Sequence, residues 1–140
     1  MLIVRNVQMA VFADRAWKDF EFSASELLLD QYEEQWHEVV PEVRRRRVSW
    51  SLAQGYALGL TDSDDLLLYA GCLIAYGPYF PCHPVIASTL GGHAGTLAGR
   101  LRRLYGVPHY VWREMDLLQS EQDWLVVDRG GAAKKAGDAQ

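Results

Sequence analysis

The residues able to do chemistry are few and scattered. Two cysteines, Cys72 and Cys82, and four histidines, His37, His83, His93 and His109, are the ligands and nucleophiles on offer. No two histidines have the HxxxH or HExxH spacing that puts a pair of imidazoles on one helix face, and there is no CxxC. Cys82 and His83 are neighbours, but adjacent side chains rarely aim at one ion without others nearby, so no metal and no cofactor are expected. A Cys82 nucleophile needs an imidazole base brought close in space, with His93 or His109 the candidates. The spacing gives no reason to bring either there, and no GxSxG elbow exists. An incidental loop thiol is the plainer reading. Cys72 lies inside an apolar run and reads as a buried free thiol; nothing requires a Cys72–Cys82 bridge.

Three further clusters carry charge or glycine. The segment 91–95 (GGHAG) precedes a helix, but it lacks the preceding strand and the GK[ST] ending of a phosphate loop, so it reads as a hinge. Asp62, Asp64 and Asp65 sit where a helix start favours negative charge, and capping explains them. Arg44, Arg45, Arg46 and Arg47 form an unbroken run. On a helix they point in four directions and cannot make one flat phosphate clamp. Their plain reading is a solvated first turn balanced by Glu34, Glu38 and Glu42; their functional reading is steering of an acidic partner.

The elements around these residues centre on Leu66 to Tyr76 (LLLYAGCLIAY), apolar at every position but Gly71. A helix apolar all round is buried. Thr61 with Asp64 predicts its start and Gly77-Pro78 its end. Before it, Met1 to Arg5 read as an extended lead, with Asn6 as N-cap. Apolar steps of three and four from Met9 to Tyr32 predict a helix over 7–36, continuous or broken near 22–25. His37 to Pro41 connect it to a helix over 42–58, with Val43, Leu52, Ala53, Tyr56 and Ala57 inward and Gly59 as its stop.

After the central helix, residues 77–84 make a proline-rich turn, and a short helix is predicted over 84–90. Thr96 caps another through Tyr105, with Leu97, Leu101 and Leu104 inward and Arg100, Arg102 and Arg103 mostly outward. A last amphipathic helix over 109–119 has Tyr110, Val111, Met115 and Leu118 near one stripe. Residues 124–127 read as a short strand-like arm. The expectation is an all-α, compact single-domain bundle of about five to six helices around a buried central helix (62–76). Residues 1–128 form the domain with its C-terminal arm, and 129–140 form a disordered tail.

The chain has 140 residues, is 49% apolar and carries a net charge of −4. That balance argues against a nucleic-acid footprint, which needs a basic face. No run reaches the ~18 apolar residues of a membrane span, and the opening apolar run is too short for a signal peptide. A cytoplasmic protein without nucleic-acid or membrane partners is expected. The positive signal is aromatic: five Trp and seven Tyr are many for this length, and such residues anchor protein interfaces.

Taken in order, the signals resemble a group of small helical proteins encoded in type VI secretion effector islands, near spike-tip proteins and Tap-type adaptor chaperones. The resemblance lies in Ile3-Val4-Arg5 with Gln8-Met9, in Phe20, in Gly55-Tyr56 and Gly59, in the acidic cap, in Tyr76-Gly77-Pro78-Tyr79-Phe80 and in Arg102-Arg103-Leu104-Tyr105. It spans about Leu2 to Tyr105. The chain departs from the pattern in the extra aromatic residues of its first helix and in its extension after Gly106. The resemblance implies a non-enzymatic accessory role and supplies no catalytic residues. The leading expectation is a co-chaperone or adaptor subunit for effector loading, whose partner is an adaptor chaperone or an effector. An immunity protein that neutralises a toxin follows closely, and a small cysteine-dependent enzyme comes third. The expected binding surface uses the first helix and the arm after Pro108. Trp36, Trp112 and Trp124 are the anchors there and Arg44 to Arg47 the steering charges; a homodimer is equally open to the first helix.

Overall fold

In a computed structural model, residues 2–34, 36–92 and 95–129 are described, with side chains described from residue 15 onward. Among them are seven α-helices, three 3-10 turns and no strand. The helices are α1 (Leu2–Gln31), α2 (Pro41–Ala57), α3 (Ser63–Tyr76), α4 (Pro84–Leu90), α5 (Leu97–Arg102), α6 (His109–Leu118) and α7 (125–129). The all-α expectation holds. The helix count exceeds five to six because 124–127 is not strand-like: Glu121–Trp124 is a 3-10 turn that runs into α7. The tail expected over 129–140 falls outside the described residues beyond Arg129. No helix among the described residues is long and apolar enough to cross a membrane.

α1 corrects its expected start and end and settles whether it is broken. It starts at Leu2, so residues 2–5 are not an extended lead and Asn6 is not its cap. It has no break at 22–25, because Ala24 and Leu28 are core residues one turn apart and need a continuous helix to share one face. It ends at Gln31 rather than Trp36. The chain then turns, with Trp36 N–H donating to Glu33 O (3.1 Å) and Val39 N–H to Trp36 O (2.9 Å). These turns carry Trp36 inward.

α2 buries a different face from the one its apolar residues suggest. Its buried residues are Arg47, Val48, Ser51, Leu52 and Gly55, while Ala53, Tyr56 and Ala57 are exposed. Steps of three and four are kept, but two members of the stripe are polar. The small residues Ser51 and Gly55 bring α3 close: a Cβ at Gly55 would stand 3.2 Å from Leu66 and 3.3 Å from Tyr69. α2 closes through Gly59 at φ 104°, whose N–H reaches Tyr56 O (3.0 Å) while Leu60 N–H reaches Gly55 O (3.1 Å). That pair of hydrogen bonds is a Schellman stop, and Leu60 packs back on the helix.

α3 is the central helix, packed by α1, α2, α5 and α6. Its cap is Asp62, which accepts from Asp64 N–H (2.9 Å), and not Thr61. Asp65 does more than favour the helix start: it is buried and faces Arg102 Nη2 at 3.7 Å. Leu66, Tyr69, Ala70, Leu73 and Ile74 are fully buried, whereas Leu67, Leu68, Cys72 and Tyr76 are only half-buried. One side of α3 is therefore thinly covered.

The later helices follow their local signals. Pro84 opens α4, and Thr96 Oγ1 caps α5 by accepting from Gly99 N–H (3.0 Å). Leu101 and Leu104 are buried as their spacing requires. Arg100 is not a free outward charge: its Nε donates to Leu90 O (2.9 Å) and Nη1 to Gly95 O (3.0 Å), closing the end of α4. On α6, Val111 and Met115 are buried, but Tyr110 and Leu118 point out.

Candidate functional site

The two cysteines and His83 do not assemble a reaction centre. His83 Nδ1 accepts from Val85 N–H (3.2 Å) as the cap of α4, and Nε2 lies 3.3 Å from Glu114 Oε1. Both ring nitrogens are engaged, so the neighbour of Cys82 is a structural residue and not its base. Cys82 is exposed and Cys72 half-buried, and both are free thiols. Burial pushes the Cys72 thiol up to about 12, which keeps it protonated and unreactive at neutral pH. His93 lies outside the described residues. No group of three His, Cys, Asp or Glu among the described residues could hold a metal ion.

The arginine run separates as its helix geometry demands. Arg45 and Arg46 are exposed. Arg44 is half-buried and its Nε donates to Val39 O (2.6 Å), tying the turn before α2. Arg47 is 3% exposed and cannot steer anything. Its Nη2 donates to Glu121 Oε1 (2.6 Å) and Asp128 Oδ2 (2.8 Å), and its Nε to Asp128 Oδ1 (3.1 Å). The fork on Asp128 is the strong bidentate geometry. Burial alone pulls the Arg47 guanidinium down; its hydrogen bonds to Asp128 and Glu121 together outweigh this and hold it above its ordinary value. Its balancing acids are thus Glu121 and Asp128 rather than Glu34, Glu38 and Glu42.

Two of the three expected anchors sit on that arginine. The Arg47 guanidinium lies 5.3 Å from the Trp36 ring centroid and 5.2 Å from that of Trp124. The two rings meet edge to face at 5.3 Å, and Trp50 meets Trp124 at 6.1 Å. Arg47 Nη1 has no hydrogen-bond partner, and the two ring faces are the electron-rich groups beside it. Trp36 and Trp124 are each 2% exposed, so neither is a surface anchor. Trp112 is half-buried, stacked on Phe80 (6.0 Å, 17°) and tilted against Tyr76 (5.1 Å). Its ring holds α6 on α3.

Exposed apolar surface lies elsewhere: Phe22, Leu27, Val40, Leu58 and Tyr79 stand out over the molecule, and two places bear on binding. The first is the C-terminal third, where Tyr105, Tyr110, Leu117 and Leu118 are 78%, 64%, 78% and 70% exposed and Val126 55%. Tyr110 and Leu117 are seven apart on α6 and share its outer face with Arg113 and Glu114 between them. The second is an open groove of ≈ 690 Å³ between α1, α2 and the start of α3, lined by Ala16, Trp17, Phe20, Ala53, Tyr56, Ala57, Thr61, Ser63 and Leu66. Trp17 meets Tyr56 at 5.1 Å between α1 and α2, and Phe20, one turn on along α1, at 5.7 Å. Each place overlaps a segment expected to bind, the arm after Pro108 or the first helix, but Tyr105 precedes that arm and α2 and α3 supply most of the groove. The signal for Tyr110 and Leu117 was present: Val111, Trp112 and Met115 define the inner face of α6, which leaves those two opposite.

No protein-family model matches this chain, and comparison with curated proteins and with solved structures also returns no match.

Proposed function

We propose that this chain is a non-enzymatic protein-binding accessory factor. On the resemblance of its motifs, we place it in type VI secretion as a co-chaperone or adaptor subunit for effector loading. The observation that carries the binding role is the outer face of α6. Tyr110, Leu117 and Leu118 stand in solvent there, and Tyr105 and Val126 in the same third of the chain are exposed as well. Large apolar residues scattered singly are ordinary; a concentration of them on one segment marks an interaction surface. Arg113 and Glu114, both exposed, lie between the apolar pair with opposite charges and would fix the partner's register.

A tagged pull-down from the native host, with wild type and Leu117→Glu in parallel, tests this. Recovery of an adaptor chaperone or spike-tip protein by wild type and its loss in Leu117→Glu is the expected result. Recovery of a toxin domain alone, with its activity lost in the complex, would replace loading by immunity. Equal recovery by both chains would move the binding surface away from α6.

A further inference from the structure

We infer that this chain pairs with a second copy of itself, the N-terminal part of α1 from each copy lying in the groove of the other. The inference begins with helix lengths. α1 has 30 residues and α2 has 17, so they run ~45 Å and ~26 Å at ~1.5 Å per residue. α2 returns antiparallel to α1: Ser49 Oγ donates to Glu21 Oε2 (2.9 Å), and Tyr56 near the end of α2 meets Trp17. α3 starts at the same level, since Ser63 and Leu66 share the groove with Ala16 and Trp17. Residues 2–13 therefore run on past the end of α2 and the start of α3.

That projecting stretch is a poor candidate for life in water. Nine of the twelve residues from Leu2 to Ala13 are apolar, and Arg5 is the only charge among them. A helix of ~12 residues is also marginal alone, so tertiary or quaternary packing must hold it. The groove at its root offers such packing. Its walls are Trp17, Phe20 and Tyr56, and the small, exposed Ala53 and Ala57 leave room for a helix to approach.

The occupant follows from geometry and charge. α1 is one continuous helix, and a straight helix cannot fold back onto its own root. The projecting stretch therefore fills a groove only in another molecule. A two-fold axis crossing α1 near residue 12 would lay residues 2–8 of each copy over residues 16–22 of the other, a self-complementary closed contact. The groove's polar edge at Thr61 and Ser63 adjoins exposed Asp62 and Asp64, and Arg5 is the single cation arriving from the partner copy. This surface is separate from the outer face of α6.

Sedimentation velocity on the full chain tests the pairing, with circular dichroism confirming the fold of each variant. Wild type is expected to be a dimer at roughly 50 µM. Ala57→Glu, an exposed change in the groove, and Val7→Glu, in the projecting stretch, should each raise the dissociation constant at least about ten-fold. Arg5→Glu should weaken the dimer, and adding Asp64→Lys should restore part of the loss. A monomeric wild type at that concentration would overturn the inference. So would a dimer indifferent to both Ala57→Glu and Val7→Glu, which would have to use another face.

Discussion

The two ends of α2 carry aromatic clusters of similar make-up and opposite fate. At its N-terminal end, Arg47 is sealed between Trp36 and Trp124 and shut in by Glu121 and Asp128. At its C-terminal end, Tyr56, Trp17 and Phe20 line an open groove, with Tyr56 57% exposed. The difference is a lid. Asp128, 81 residues further along the chain, comes back over the first cluster, and among the described residues no such return closes the second. Aromatic content alone therefore does not tell a core from a docking face. What decides is whether a distant segment returns to cover it.

The sharpest way to break this contrast is Trp124→Ala. The ring is 2% exposed and touches Trp36, Trp50 and Arg47. Its loss should cost about 4 kcal/mol, as for other buried aromatic truncations, read as a shift of the urea midpoint. A cost below ~1 kcal/mol would mean that residues 121–129 are a loose cover and that the clasp is no core. Arg47→Met comes next, with about 2 kcal/mol expected. That is below the ~3–5 kcal/mol of a fully buried broken pair, because the Glu121 side chain is 61% exposed and water can reach it. A double-mutant cycle with Asp128→Asn should show coupling of ~1–2 kcal/mol. No coupling would assign the role of Arg47 to its stem packing on the rings rather than to its charge.

The same contrast explains what the sequence did and did not disclose. Local signals were readable: Pro84, Thr96, Gly59 and Gly77 mark helix ends where they stand, and the Leu101–Leu104 and Val111–Met115 spacings are core spacings. The inward face of α2 was not readable. Arg47 and Ser51 look like surface residues, and the acids that make burial of Arg47 tolerable lie 74 and 81 positions away. Trp36 stands among Glu33, Glu34 and His37, which suggests an edge, yet the turn after α1 rotates it inward. The candidate surfaces were legible at the level of segments only. A stripe drawn through Tyr110, Val111, Met115 and Leu118 straddles the inner and outer faces of α6 and misses the pairing of Tyr110 with Leu117; the Val111, Trp112 and Met115 spacing separates the two faces.

Between the two clusters runs α3, and its titration reports how dry that middle is. Burial pushes Cys72 up to about 12 from 9.0, and it pushes Tyr69 up to about 12 from 10.0. Both groups ionise more readily in the unfolded chain, so their contribution is fully present below pH 9 and is lost as pH rises toward 12. Stability should fall by about 1.4 kcal/mol per pH unit for each such group, from pH 9 for Cys72 and from pH 10 for Tyr69. Cys72→Ala should flatten the first part of that fall while leaving the tyrosine part above pH 10. An unchanged alkaline profile in Cys72→Ala would show that water already reaches the thiol along the thinly covered side of α3. At pH 8, an aromatic disulfide reagent should titrate exposed Cys82 quickly and Cys72 only on unfolding.

The smallest expected effect is the most telling for the comparison. Tyr56→Ala removes a whole aromatic ring from the groove, as Trp124→Ala does from the clasp. Yet Tyr56 is 57% exposed, and its ring contact is with half-buried Trp17. Its loss should change the unfolding free energy of a monomer by no more than about 0.5 kcal/mol, the range of ordinary surface changes. If the groove is filled by a second copy, the same substitution acts at an interface, and its cost becomes concentration-dependent. Urea unfolding of wild type and Tyr56→Ala at two protein concentrations separates the cases. A small difference that widens with concentration identifies the groove as an interface. A cost of several kcal/mol at every concentration would make Tyr56 a core residue, and the two ends of α2 would then be alike.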